Sequence, residues 1–272
     1  MIFAPAFQPI KDVGTGSFVA AEVLARWYDE GRVLTPSSLS SPPYWGLVDM
    51  EMARFIQDNL HYCLDLYPAL FLNVSEQTLQ SDVIFKAWCR VVRDIAKNHS
   101  SRLVIEITEG IQDASLASRW EALTEIGVEL ALDDYGDKNS SLDRLSRYDW
   151  HYCKFDARRL RSLEDYPAIL HCRRKGIQLI AEQVESFPLG ESAKLLGLSW
   201  QQGFYHGKPA VMEKNLNYVK ALPWCKKFYG SWPLARSFGL VRYRLTLGAR
   251  MRKWSAENWL LTSAGAVFSL SK

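Results

Sequence analysis

The stretch ELALDDYGD, residues 129 to 137, runs from an apolar segment straight into two adjacent carboxylates, Asp133 and Asp134. Like charges side by side at the end of a buried strand repel each other and lose hydration. A nearby cation, a set of backbone donors or a metal ion must therefore offset the cost. Other polar residues occupy comparable places. Asn73 closes FLN, Glu106 lies late in VIE, Lys154 late in YCK, Glu182 follows LIA and Gln202 sits within QQG. Glu22 falls mid-segment in AAEVLAR, where alternation puts it on one face with Leu24 and Arg26. These are mostly hard oxygen donors, which suit Mg²⁺ or Mn²⁺ rather than the thiolate and imidazole ligands that zinc favours. Two such ions can stabilise the attacking and leaving oxygens of a phosphodiester displacement, with Asp133 bridging both and Asp134 reaching one. Lys154 adds a fixed positive charge that can orient the attacked phosphate or a nucleophilic water. The five histidines show no ligand spacing.

The elements that must position these groups follow from apolar segments and turn signals. The first two strands, FAPAFQPI and SFVAAEVLARW, are separated only by KDVGTG, too short for a crossover helix, so they are expected to pair antiparallel. Later strands are expected at 69–73, 102–107, 128–132, 151–155, 177–181 and 200–204. Helical patterns fall at 47–60, 83–97, 114–126, 157–175 and 189–196. Eight strands alternating with helices predict a modified (β/α)8 barrel with an antiparallel first strand, whose strand C-termini gather the polar residues at one mouth.

Composition sets the wider frame. With 272 residues, 48% hydrophobic and 23% charged, the chain has the make-up of a globular protein with a real core. Five cysteines without a C-x-x-C pair argue against a disulfide framework. Neither a signal-peptide layout nor an apolar run of about 18 residues is present, so a cytoplasmic location is expected. Residues 211–272 carry 11 Lys/Arg against 2 Asp/Glu, a balance of +9, whereas the first 210 residues balance at −6. The chain is therefore divided into a catalytic unit, 1–210, and a basic, aromatic-rich C-terminal extension, 211–272. That extension has the composition to meet an anionic surface, nucleic acid or a protein partner, or to cover a patch of the barrel.

Taken in order, the motifs resemble the EAL-type cyclic di-GMP phosphodiesterases over residues 3 to about 210. They are FQPI (7–10), AEVLARW (21–27), FLNVS (71–75), IEITE (105–109), LDDYG (132–136), KFD (154–156), AEQVE (181–185) and QGFYHGKP (202–209). The resemblance implies hydrolysis of cyclic di-GMP to linear pGpG with two Mg²⁺ or Mn²⁺ ions per site, in a homodimer. It implies Glu22, Asn73, Glu106 and Asp133 as ligands of one ion, and Asp133, Asp134 and Glu182 as ligands of the other. Lys154, Gln202 and Glu182 match the positions that handle catalytic water. Gln8, Arg26 and Asp156 match substrate-holding positions, and Glu109 and Glu185 match anchors of the loop after the Asp pair.

This chain departs from the family pattern in places. Val23 stands for Ala, Gln183 for Gly, and Asp137-Lys138-Asn139 for Thr-Gly-aromatic. Lys138 takes up positive φ less cheaply than Gly, so a stiffer or differently shaped loop is expected, with Asp137 competing for a cation. Two other readings stand beside hydrolysis. One is a catalytically weak EAL domain that serves as a cyclic di-GMP receptor or protein-binding regulator. The other is an enolase-like proton abstraction, against which the ordered motifs argue.

Overall fold

The gap between the first two long strands holds only a turn, and the chain accordingly folds back on itself. Strand β2 (Ala6–Asp12) pairs antiparallel with β3 (Phe18–Leu24), after a two-residue β1 (Ile2–Phe3). The computed structural model of the chain describes residues 2–99, 102–211, 259–261 and 267–269. Beyond β3, a small hairpin of β4 (Trp27–Asp29) and β5 (Arg32–Leu34) pairs with β1 in a separate three-stranded sheet. Helix α1 (Trp45–Leu66) then leads into β6 (Leu70–Val74), α2 (Glu76–Gln80), α3 (Asp82–His99), β7 (Leu103–Ile107) and α4 (Asp113–Thr124). The second half follows as β8 (Glu129–Tyr135), α5 (Leu142–Arg147), β9 (Tyr152–Asp156), α6 (Tyr166–Lys175), β10 (Gln178–Glu182), α7 (Phe187–Leu195) and β11 (Trp200–Gln202). Strands β3 and β6 to β11 are parallel neighbours, and β11 closes onto β2 antiparallel, giving an eight-stranded barrel ringed by helices. A short β12 (Ala210–Val211) pairs antiparallel with Ala6 and Phe7 at the start of β2.

Two apolar layers hold this together. Ile10, Ala20, Phe71, Val104, Ala131 and Ile180 fill the floor of the barrel. A larger cluster, including Leu72, Phe85, Trp88, Ile105, Leu132, Phe155 and Ala181, packs the outward faces of the strands against the helices. Among the described residues, no helix is long and apolar enough to cross a membrane, and Cys63, Cys89, Cys153 and Cys172 are free thiols.

Several expected boundaries need correction. The helix expected over 157–175 is a 3-10 turn at Leu160–Ser162 and then α6, because Leu163 sits in the left-handed region (φ +62°) and Pro167 restarts the helix at its first turn. The expected 128–132 strand runs on through both aspartates to Tyr135. Helix α5 has no counterpart among the expected elements. It is capped by Ser141, whose side chain accepts from the Arg144 amide, and it is fixed by the buried Arg144 guanidinium on Asp113 (2.6 Å) and the Ile111 carbonyl (2.6 Å). The 211–272 extension falls largely outside the described residues, apart from Val211 and an antiparallel pairing of 259–261 with 267–269.

The turn after β6 is held from a distance. Asp49 of α1 is buried, and its Oδ2 accepts from the Ser75 amide (2.8 Å), the Ser75 hydroxyl (2.6 Å) and the Thr78 hydroxyl (2.5 Å). Burial outweighs these bonds and pushes the carboxyl up to about 6. A raised carboxyl stabilises the fold most below its ordinary value, and the benefit is lost as pH rises through about 6. Asp49→Asn is therefore expected to flatten that part of the stability–pH profile while keeping an acceptor. Asp49→Ala, which strands the buried donors, is expected to lower stability by about 1–3 kcal/mol. Urea denaturation on either side of that pH checks both.

Candidate active site

Side chains alternate along a strand, so a residue two places above a floor residue points into the same barrel interior. Two places from Ile10, Ala20, Phe71, Val104, Ala131 and Ile180, towards the mouth, lie Gln8, Glu22, Asn73, Glu106, Asp133 and Glu182. Tyr152 and Trp200, which pack against that floor, are followed in the same way by Lys154 and Gln202. All eight barrel strands thus contribute one polar residue to a single layer.

Lys154 is the hub of that layer. Its side chain is 1% exposed, and its ammonium lies 2.7 Å from Glu106 Oε1, 2.7 Å from Glu182 Oε1, 3.0 Å from Asp133 Oδ1 and 3.3 Å from Glu22 Oε2. Glu22 also accepts from Asn73 Nδ2 (2.8 Å) and Gln202 Nε2 (2.7 Å), and Gln202 Nε2 also reaches Gln8 Oε1 at 3.3 Å. One ammonium with three N–H groups cannot satisfy four carboxylates. The imbalance shifts their affinities for protons. Burial, together with the neighbouring carboxylates, holds Glu106 and Glu182 well above the usual carboxylate range and raises Asp133. Glu22 is also buried, but Lys154 and the Gln202 and Asn73 amides bring it below that range. Lys154 itself is held well above its ordinary value, since the four carboxylates outweigh its desolvation.

The Asp pair reaches this layer through a backbone irregularity. The register between β8 and β9 runs Leu132 to Cys153 and then Tyr135 to Phe155, so one extra residue sits in β8. Asp134 takes φ +44° within that bulge. A bulge breaks the alternation that would send neighbouring side chains to opposite faces. Asp133 and Asp134 can therefore serve one site, each bringing a carboxylate oxygen within 4.8 Å of the other and of Glu109. Burial and the Asp133 charge push Asp134 up to about 6.

The residues present fit divalent cations. Glu106 is fully buried, its Oε2 has no hydrogen-bond partner, and its Oε1 meets Lys154 only as an ion pair. Gln202 Oε1 is buried and unpartnered as well, and Asp133 Oδ1, like Glu106 Oε1, meets only the shared Lys154 ammonium. Orphaned oxygens of this kind, in a layer with excess negative charge, are what a hard cation would satisfy.

Other candidates sit at the rim or away from Lys154. Arg26 is half-buried between β3 and β4 and donates to the Ala25 carbonyl at 2.8 Å. Asp156 is bound by the Arg158 guanidinium (2.6 Å) and amide (2.8 Å). Glu185 is exposed on the turn before α7 and faces Arg158 electrostatically, whereas Glu109 touches the loop after the Asp pair directly. Lys138 does take positive φ (+40°), and Gln183, standing where the family pattern has Gly, does so too (+53°). Asp137 is engaged by Arg159 at 3.2 Å. Gly203 has no such latitude, because a Cβ there would overlap the Val184 backbone.

Sequence reasoning missed several supporting residues. Ser140 is buried and donates to the Asp133 carbonyl at 2.7 Å, and Arg159 braces the same loop. Asp49 fixes the turn that follows Asn73. The only sequence signal for these was a polar residue inside an otherwise apolar helix or turn, which is weak taken alone.

Fold and site together define a β/α-barrel protein with a mouth of hard oxygen donors suited to divalent cations. The EAL domain family model matches residues 2–209, and the chain belongs to that family. It is similar to the probable cyclic di-GMP phosphodiesterase PdeG of Escherichia coli, with 28% identity over 226 residues, 76% of this chain and 44% of that protein. It is also similar to the cyclic di-GMP phosphodiesterase RocR of Pseudomonas aeruginosa, with 28% identity over 234 residues, 79% of this chain and 59% of that protein. The chain thus spans about half the length of these relatives. Among solved structures, the PaMucR phosphodiesterase in complex with c-di-GMP gives a TM-score of 0.62 at 22% identity, covering 78% of this chain and 94% of that one. The Bacillus subtilis YkuI protein, with an EAL domain in complex with c-di-GMP and calcium, gives 0.63 at 21% identity, covering 76% and 55%. These two likenesses are of fold.

The charge imbalance yields a testable outcome. Glu106→Gln relieves repulsion in metal-free protein, so its melting temperature in EDTA is expected to exceed that of the unmodified chain, by about 2–4 °C per kcal/mol relieved. The further rise on adding Mn²⁺ is expected to shrink. Thermal melts with and without Mn²⁺ check both halves.

Proposed function

We propose that this chain is a divalent-metal-dependent phosphodiesterase that opens cyclic di-GMP to linear pGpG. One observation carries the reading: eight strands deliver a single polar layer in which four carboxylates outnumber one buried ammonium, leaving Glu106 Oε2 unpartnered. Its family membership and the names of its relatives supply the substrate class.

Glu22, Asn73, Glu106 and Asp133 would hold one Mg²⁺ or Mn²⁺ ion, and Asp133, Asp134 and Glu182 a second. When bound, the ions would supply Lewis-acid polarisation of the phosphoryl group and favour deprotonation of the attacking water. The chain's own residues do the rest. Glu182 accepts the proton of the water as its oxygen bonds to phosphorus. The bond from phosphorus to the 3′-oxygen breaks in line, and that oxygen leaves and takes up a proton. Lys154 fixes the carboxylates around it and keeps them from repelling one another apart. Gln202 and Gln8, already hydrogen-bonded to each other, line the side of the mouth next to Glu22 and orient water or substrate. Arg26 and Asp156, further out on the rim, are placed to meet the nucleotide rather than the reacting phosphorus. The catalytic unit is assigned to residues 1–210.

Full-length protein incubated with cyclic di-GMP and Mg²⁺ or Mn²⁺ is expected to yield pGpG, and EDTA is expected to stop it reversibly. Asp133→Asn is expected to lower kcat/KM by on the order of 10²–10³-fold, the scale for losing one group that stabilises transition-state charge. Chromatography of the nucleotides checks these outcomes. Turnover undiminished in EDTA excludes the two-metal reading, and tight binding of cyclic di-GMP without turnover establishes a receptor instead.

A further inference from the structure

The loop after the Asp pair is attached to the segment following β7 in two separate ways. Asn139 donates its amide and its side-chain Nδ2 to the Glu109 carbonyl, at 3.3 and 3.1 Å. Lys138 separately places its ammonium on Glu109 Oε1. Asp137 on Arg159, the Asp137 amide on the Asp134 carbonyl (3.0 Å) and Ser140 on the Asp133 carbonyl secure the loop further. The Lys138 contact is therefore spare as an anchor. Its distinctive effect is on charge.

Glu109 belongs to a set that a cation could span, since it, Asp133 and Asp134 each bring one carboxylate oxygen within 4.8 Å of the others. Asp133, 8% exposed, holds its Oδ1 on the Lys154 ammonium at 3.0 Å, and Glu106, which shares that ammonium, keeps a buried Oε2 without a partner, so the set adjoins a buried oxygen open to a ligand. With Lys138 in place, the Glu109 charge is countered, and Asp133 and Asp134 are the carboxylates of the set left to face a cation. Mg²⁺ is usually held through one or two carboxylates and keeps several waters, whereas Ca²⁺ takes six to eight oxygens and gains from each added carboxylate.

We propose that Lys138 is a positioning residue for metal choice: an internal cation that withholds Glu109 from the Asp133–Asp134 cation site and so biases that site towards Mg²⁺ over Ca²⁺. This rests on the reading of Asp133 and Asp134 as metal ligands. The Lys138 side chain is 64% exposed, so its pairing with Glu109 is screened by solvent and is a bias rather than a lock.

Calorimetric titration of the full-length protein with Ca²⁺ alone and with Mg²⁺ alone tests this, with no dependence on turnover. Lys138→Asn removes the charge and keeps a residue that tolerates positive φ, so the fold is preserved; Lys138→Arg keeps the charge. In Lys138→Asn the ratio of Ca²⁺ to Mg²⁺ affinity is expected to rise at least about threefold, the scale of one exposed ion pair. Lys138→Arg is expected to keep the original ratio. In a Glu109→Gln background Lys138→Asn is expected to leave the ratio unmoved. Loss of a lysine charge by itself strengthens both divalent ions alike, so an unchanged ratio in Lys138→Asn overturns the proposal. A rise that persists with Glu109→Gln overturns it too. If the unmodified protein binds neither ion, the ligand reading falls and takes this proposal with it, an outcome distinct from equal ratios.

Discussion

The Lys154 ammonium is the interaction on which the rest of the site depends. It lies inside the barrel, almost wholly removed from water, and holds the carboxylates of Glu22, Glu106, Asp133 and Glu182 within 3.3 Å. Four carboxylates so close together would repel strongly in a medium less polar than water, and a single positive charge among them makes the arrangement tenable. It does not make it neutral. Crowding and burial hold Glu106 and Glu182 above the usual carboxylate range, and the unpartnered oxygens mark where a cation would take up the excess charge. A site built this way is poised between protons and metal ions.

Such a layer has to rest on something that does not move. Directly beneath it, Ile10, Phe71, Val104 and Ile180 form an apolar floor, and the strands carrying both layers are packed outward against helices. Burial of that apolar surface offsets the cost of assembling like charges at the mouth. Connections outside the barrel refine the geometry. Asp49 ties α1 to the turn just after Asn73, and Arg144 ties α5 to the start of α4. Neither touches the Lys154 cluster, yet both fix segments that follow the strands bearing it.

The loop after the Asp pair shows how a site tolerates local sequence change. Positive φ recurs at Asp134, Gly136 and Lys138, although only one of the three is glycine. The backbone shape is maintained by bonds to main-chain atoms on either side, notably the Asn139 bonds to the Glu109 carbonyl and the Gly136 amide on the Ser140 carbonyl at 2.7 Å. The cost of left-handed backbone at a non-glycine residue, on the order of 1–2 kcal/mol, is small beside several such bonds. That is why Lys138 can hold left-handed backbone although its side chain disfavours it.

The sequence by itself determined the alternation of strands and helices and most of the polar residues gathered at the strand ends. The period of two along a strand fixes which residues share a face, and Glu106, Lys154 and Glu182 could be read off the ends of their segments. The short KDVGTG turn likewise left β2 no route but back along β3. Only the tertiary structure decided how those faces meet. Closing β11 onto β2 brings Gln202 to Glu22 across 180 residues of chain, and no local pattern encodes that distance. The bulge in β8 was equally hidden, because its extra residue is defined by the register against β9 and not by ELALDDY itself. Without it Asp133 and Asp134 would point to opposite faces. Helix α5, anchored by Arg144 on Asp113, was illegible for the same reason: six residues carry too little periodicity to declare themselves, and their partners come from other parts of the chain.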